Sequence, residues 1–373
     1  MTGPALRVAW LTNAPSADQI DLLTALAARP EVDLSVFYCS PKSTKGEVHF
    51  SAPSGRGAFL SGPKLPGPAG GFFLNPSIVG VLTRSSYDVL IVSGYAHATM
   101  QLAMLVRAVQ GKPWLLFAER AGMVQNYGHA VGRKLAMVMV RSAAGIIATG
   151  RLAEEAFARQ FGSSRRLFSL PYLINHEEFL RLPRPQSGAA DVSFMACGSL
   201  IRRKGIDVLI TAFQQAAQVR SDISLTIVGD GPEMQALKDS VTSDCRDRIT
   251  FRGAISFNER PQIFGEADVF IHPARHDGWG VVIHEALAAG LPVIATRETG
   301  AAYELVQDGR NGFLVDAEDE ATLAERILWF ADNRPAIESF SRDARAAVAG
   351  LTPEWGAAEL VRITQSVASD CKQ

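Results

Sequence analysis

Apolar residues recur along this chain in short unbroken runs bounded by turn formers, and between the runs lie stretches with apolar positions at helical spacing. Leu6 to Leu11 reads as a strand, Asp18 to Ala28 as a helix and Val32 to Tyr38 as a second strand, an opening β-α-β unit. Asp88 to Ser93 and Pro113 to Phe117 repeat the strand pattern around a helix at Ala98 to Val109, and Ile146 to Thr149 follows as a later strand. Strands that are apolar throughout, instead of alternating, belong to parallel sheets covered on both faces. The N-terminal half is therefore α/β.

The pattern lapses and restarts. Leu182-Pro183-Arg184-Pro185-Gln186-Ser187-Gly188-Ala189 reads as a linker, and Val192 to Cys197 begins a second sheet. Ala267 to His272 is another buried strand, ended by Pro273. After Thr352-Pro353, a pattern containing Trp355, Leu360 and Ile363 predicts a last helix. From Ser40 to Gly71 the chain is rich in Gly, Pro and Ser, too long for a neutral connection, which predicts a functional or mobile segment.

Composition narrows the class. A length of 373 residues exceeds one ordinary core and suits two domains of about 180 residues each. Hydrophobic content of 47%, charged content of 20% and a net charge of −1 describe a globular protein and argue against nucleic acid as a partner. Cys39, Cys197, Cys245 and Cys371 are scattered, with no C-x-x-C pair, which suits a reducing compartment and structural roles. The N-terminus lacks a basic region followed by an apolar core, and no stretch approaches the roughly 20 apolar residues that span a bilayer, so a cytosolic location is expected. The turn after the first strand, Thr12-Asn13-Ala14-Pro15-Ser16, lacks Gly-x-Gly-x-x-Gly, which counts against a dehydrogenase.

The most informative stretch is His276-Asp277-Gly278-Trp279-Gly280 followed by Val281 to Ala289, Gly290 and Leu291 to Thr296. It reads as a glycine turn, a helix with a left-handed C-terminal cap, and the next strand. In such a unit the loop at the strand's carboxyl end lies beside a helix N-terminus, where free amides and the helix dipole favour an anion such as a diphosphate. Asp277 and Glu285 lie eight residues apart, one in the loop and one in the helix, so both carboxylates could meet hydroxyls of one ligand. The structural alternative is a glycine turn followed by a solvated helical Glu.

This segment resembles the signature of GT-B-fold retaining glycosyltransferases of family 4, usually Glu-Gly-Phe-Gly, a helical Glu, then Ala-x-Ala-x-Gly-x-Pro-Val. The resemblance implies two Rossmann-like domains facing a central cleft. By the same resemblance Asp277 contacts the donor sugar and Glu285 the ribose of the nucleotide. Here Asp stands for the family's first Glu, one methylene shorter, and Trp279 for its Phe. Cys197-Gly198-Ser199-Leu200-Ile201-Arg202-Arg203-Lys204-Gly205 is similar to the family's Gly-Arg-Leu-x-x-x-Lys-Gly, whose Arg and Lys grip the diphosphate. Lys204 falls on that Lys and Ser199 on that Arg, and either Arg202 or Arg203 is left to supply the missing guanidinium. A lysine about 4 Å from a phosphate charge is worth about 4 kcal/mol at an effective dielectric near 20, more of it realised as charge builds on the leaving group.

Weaker matches continue in register: Leu225 to Pro232, Ile249 to Gly253, Thr299 to Val306 and Asn311 to Val315. In the first half, Glu119 occupies the place of a family His that faces the cleft, where a carboxylate would orient an acceptor hydroxyl or stabilise a cationic sugar. An ion pair around Glu119 and Arg120 at a strand end is the structural alternative. His97, Arg120 and His276 are further cleft candidates, with a helix-start role the alternative for His97. Gly132 to Arg141 combines basic residues with a Met-rich face, which fits a helix on an anionic membrane or, more simply, one facing a core.

The reading is a retaining hexosyltransferase with residues 1–182 binding the acceptor, 190–352 binding the donor and 353–373 returning to the first domain. Its partners are a nucleotide diphosphate sugar, UDP favoured over GDP, and a glycan, lipid-linked or small-molecule acceptor, as in bacterial envelope or exopolysaccharide assembly. No residue group resembles a metal cluster, so no cofactor and no metal are expected, with Lys204 and its neighbours supplying the charge. A peripheral contact with the inner face of the cytoplasmic membrane is a candidate. The rival readings are another GT-B reaction, epimerase or phosphorylase, and a non-catalytic nucleotide-sugar binder.

Overall fold

The computed structural model describes residues 4–40, 57–65, 72–95, 97–119, 137–182, 191–256 and 259–370. The chain divides into two compact units, Met1–Ile174 with Leu351–Gln373, and Asn175–Gly350.

The strands are β1 (Leu6–Thr12), β2 (Val32–Tyr38), β3 (Gly57–Phe59), β4 (Lys64–Leu65), β5 (Phe72–Phe73), β6 (Val89–Ser93), β7 (Trp114–Ala118), β8 (Gly145–Ala148) and β9 (Leu167–Ser169) in the first unit. The second unit holds β10 (Val192–Cys197), β11 (Ile223–Val228), β12 (Ile249–Gly253), β13 (Val269–His272), β14 (Val293–Thr296) and β15 (Gly312–Val315). The first sheet runs β3-β2-β1-β6-β7-β8-β9 and the second β12-β11-β10-β13-β14-β15, every pairing parallel, with β4 and β5 a separate antiparallel ribbon. These are the two Rossmann-like domains that the pattern predicts, each with its strand order reversing at a switch point, β1/β6 and β10/β13.

The unbroken apolar runs have the expected cause. In β1, Val8 and Trp10 enter one core with Leu22, Leu23 and Leu26, while Ala9 and Leu11 enter another with Ile78, Leu82 and Met104. Both faces are covered, and each such fully buried large side chain contributes about 1.5–3 kcal/mol of transfer free energy.

Two details differ from the pattern. In the helix Pro353–Asp370, Leu360 and Ile363 are buried in the first unit's core, but Trp355 lies on the solvent side. Gly356 sets the packing there, since a Cβ would lie 2.0 Å from Leu173 Cδ1. The division between units falls at Ile174/Asn175, ahead of the Leu182–Ala189 segment. The intervening residues join the second unit because Phe179 stacks edge-on against Phe264 at 5.5 Å and Arg345 Nη2 donates to the Leu182 carbonyl at 2.8 Å.

Within the long Ser40–Gly71 segment, β3 adds a strand beside β2. Arg120, residues 132–136 of the Gly132–Arg141 stretch, most of the linker and Cys371 lie outside the described residues. Cys39, Cys197 and Cys245 are buried and unbridged. Among the described residues, no helix is long and apolar enough to cross a membrane and no group of His, Cys, Asp and Glu has metal-ligating geometry.

Candidate functional site

β10 and β13 are hydrogen-bonded neighbours at the switch point of the second sheet, pairing Phe194 with Val269 and Met195 with Phe270. The two loops that the sequence singles out leave the carboxyl ends of these strands. They must therefore meet, in the crevice where open α/β sheets bind ligands.

The loop after β10 forms a 3-10 turn, Arg202–Lys204, closed by Gly205 at φ 67°. Gly205 allows the turn to lie on the other loop: a Cβ there would be 2.0 Å from the Pro273 carbonyl oxygen. The contact brings two cations onto one carboxylate. Lys204 Nζ donates to Asp277 Oδ2 at 2.5 Å, and Arg203 Nη1 donates to Asp277 Oδ1 at 2.7 Å and to the His276 carbonyl at 3.0 Å. His272, the last residue of β13, places Nε2 3.2 Å from the same Oδ2.

Burial drives the His272 pKa below its ordinary value against the pull of Asp277, so the ring is neutral near pH 7 and Nε2–H donates to the carboxylate. Burial pushes the Asp277 carboxyl up, but the His272 hydrogen bond and the charges of Lys204 and Arg203 outweigh it and hold the carboxyl well below the usual range. At neutral pH Asp277 is an anion between two cations.

The Asp277 loop is fixed from its other side. Asp277 forms a parallel bridge with Thr299, its N–H donates to the Glu298 carbonyl at 3.2 Å, and Ala301 N–H donates to the Trp279 carbonyl at 2.7 Å. Trp279 is buried, an anchor for the turn. Gly280, at φ 84°, starts the helix Val281–Ala289, whose first turn has no side-chain cap. A Cβ on Gly280 would lie 2.7 Å from Thr299 Cγ2, so the turn needs glycine for both conformation and space.

That helix is buried nearly all round, and Glu285 is fully buried within it, which removes the solvated helical Glu as a reading. A buried carboxylate needs a partner, and Arg260 Nη1 provides one at 2.6 Å from Oε1. Cys197, at the end of β10, has its thiol pKa raised by burial, with Arg260, Glu285 and Lys204 all acting on it electrostatically.

Other candidates fall elsewhere. Ser199, in the loop ahead of the turn, and Arg202, on the turn, are exposed, and the Arg202 carbonyl accepts from Arg275 Nη1 at 2.6 Å. His276 is half-buried and joins the site through its carbonyl. In the first unit, Glu119 follows the end of β7, and His97 occupies the N-cap position of the helix Ala98–Val109 without a side-chain capping bond, its pKa lowered by burial. The sequence reading missed Arg260, His272 and Arg275. A lone His in an apolar strand directly before Pro273 was a usable signal for His272; Arg260 carries none, because it sits on a five-residue helix without a motif.

Comparison with known proteins identifies the family and the fold. The family model described as glycosyl transferases group 1 matches residues 191–333, the part of the chain that holds every residue of this cluster. A GDP-mannose-dependent alpha-(1-6)-phosphatidylinositol monomannoside mannosyltransferase of Mycobacterium tuberculosis (strain CDC 1551 / Oshkosh) is 30% identical over 278 residues, 66% of this chain and 69% of that protein. Its namesake in Mycolicibacterium smegmatis is 33% identical over 229 residues, 54% of this chain and 59% of the relative's length. Among solved structures, Anabaena HepE in complex with UDP superposes with a TM-score of 0.74 at 18% identity, covering 97% of this chain and 100% of that one. Sucrose-phosphate synthase from Thermosynechococcus elongatus gives 0.74 at 19% identity, covering 98% and 100%. At these identities the structures speak for the fold.

Proposed function

The chain belongs to the glycosyl transferases group 1 family, and from that premise we propose that it transfers a hexose from a nucleotide diphosphate sugar with retention of configuration. The observation that carries the reading is the convergence of Lys204 and Arg203 on Asp277 beside an uncapped helix N-terminus. Two fixed cations and the first-turn amides form a cradle for a diphosphate. As the sugar–phosphate bond breaks, negative charge grows on the diphosphate, and Lys204 and Arg203 stabilise it without a metal. Asp277 faces the positive charge that develops on the sugar, and Glu285, presented by Arg260, holds the ribose.

Of the two arginines that could replace the guanidinium absent at Ser199, Arg203 is the choice, since it points to Asp277 whereas Arg202 is exposed. For the donor, the two mannosyltransferases described above, at 30% and 33% identity, are named for GDP-mannose, while the UDP-bound HepE shares the fold at 18%. We therefore favour a GDP-hexose over the UDP-sugar expected from sequence. The lipid-linked acceptors in the relatives' names favour a lipid-linked or glycan acceptor here, in work at a membrane surface.

The test is thermal unfolding of the wild type and Glu285→Ala with GDP, UDP, ADP and TDP. Ligand at 100 times its Kd adds about 2.7 kcal/mol to stability. Stabilisation by GDP that disappears in the variant supports the reading, and stabilisation by UDP alone moves the donor class. No response to any nucleoside diphosphate refutes the site.

A further inference from the structure

Lys204 and Arg203 sit on a turn of only three residues, and Asp277 lies on a loop 73 residues away in sequence from Lys204. Something must hold turn and loop in one register, and the contacts converge on Arg275. Its backbone N–H donates to the Arg203 carbonyl at 2.9 Å. Its Nη1 donates to the Arg202 carbonyl at 2.6 Å and to Asp207 Oδ1 at 2.8 Å, and its Nη2 to Asp207 Oδ2 at 2.8 Å. Its Nε donates to Glu318 Oε1 at 2.6 Å. One planar group thus ties the Asp277 loop to the 3-10 turn, to the first turn of the helix Ile206–Ala217, and to the segment after β15.

A second observation is independent of these bonds. Glu318, at φ 65°, is the one non-glycine residue with positive φ among the described residues. A glutamate in that conformation is strained, and strain persists where surrounding contacts over-determine it. Its carboxylate lies on Arg275, so the strained backbone delivers the last partner of the fork.

We infer that Arg275 is a positioning residue: it fixes the Arg202–Lys204 turn over the Asp277 loop and so sets where Lys204 and Arg203 present their charge. The inference rests on the donor site proposed above. A lysine at this position would keep the charge opposite Asp207 but could not reach Asp207, Glu318 and the Arg202 carbonyl together from one ammonium.

The test uses full-length wild type, Arg275→Lys and Glu318→Gly. Acylation of Lys204 is followed by mass spectrometry without nucleotide, with Lys238 as internal reference. Lys204 labelling rises about fivefold or more in both variants, because modification of a pinned amine tracks how often its tether opens. Glu318→Gly relieves the positive φ but loses the ion pair and adds unfolded-state entropy, so its melting temperature is measured alongside; increased labelling at an unchanged melting temperature does not come from general loosening. In a second arm, the preference of Arg275→Lys for a nucleoside diphosphate over the monophosphate falls about tenfold with monophosphate affinity unchanged, as loss of aimed cations requires. Unchanged Lys204 labelling in the folded variants overturns the inference. A wild type that binds neither nucleotide refutes the donor reading instead, and the labelling arm still decides the role of Arg275.

Discussion

Replacing Asp277 by Asn should tighten the binding of a free nucleoside diphosphate while lowering turnover. The side chain keeps its size, but the anion between Lys204 and Arg203 is gone. In the wild type that carboxylate competes with the diphosphate for both cations and repels it. Two unit charges about 6 Å apart at an effective dielectric near 20 repel by about 3 kcal/mol, and half of that realised gives roughly tenfold tighter binding. The unliganded variant is less stable by about 2 kcal/mol, since two partly desolvated cations lose their counter-ion. Turnover falls on the order of 10²-fold if the carboxylate faces the cationic sugar in the transition state.

Calorimetric titration of both proteins with GDP, or whichever diphosphate stabilises the wild type, measures the first effect, and initial rates of diphosphate release the last. Equal or weaker binding by Asp277→Asn refutes the competition argument. The pH dependence has a definite sign. The folded-state Asp277 pKa is depressed, so its contribution is fully present above the unfolded value and lost as pH falls through the folded one. The stability gap between wild type and variant is therefore full at neutral pH and narrows below about pH 4.

Lys204→Ala should lower kcat/KM on the order of 10²-fold, about 3 kcal/mol, and near wild-type activity would remove Lys204 from the mechanism. Arg203→Ala should weaken diphosphate binding about tenfold while Arg202→Ala changes it less than about twofold; the reverse order in a binding titration assigns the wrong arginine. Gly280→Ala must place a side chain at φ 84° and 2.7 Å from Thr299 Cγ2, so thermal unfolding should show a loss of about 1–3 kcal/mol. Turnover should survive chelation by EDTA, and complete loss restored by a divalent ion would contradict the role given to the cations.

Much of this protein is written in local pattern. The apolar runs of β1, β6 and β10 and the helical spacing of Val281 to Ala289 follow from side-chain periodicity, which depends only on neighbours in sequence. The turn at Gly278 to Gly280 and the lysine before Gly205 were legible for the same reason, since glycine and charge mark a turn wherever it ends up. Charge partners were not legible. Periodicity shows that Glu285 lies on a helix but not that the helix is buried all round, and no spacing rule links Glu285 to Arg260 on a five-residue helix.

Choosing Arg203 over Arg202 also needed three dimensions, because a 3-10 turn fans consecutive side chains about 120° apart and only the placement of the neighbouring loop decides which one meets Asp277. The sequence by itself determined two α/β units and the residue types at their strand ends. The tertiary structure alone decided that β10 and β13 lie side by side, and with that pairing that Lys204, Arg203, His272 and Asp277 form one cluster. The reason is physical: strand order is fixed by how whole covered sheets bury their faces, a non-local balance that no short window of residues contains.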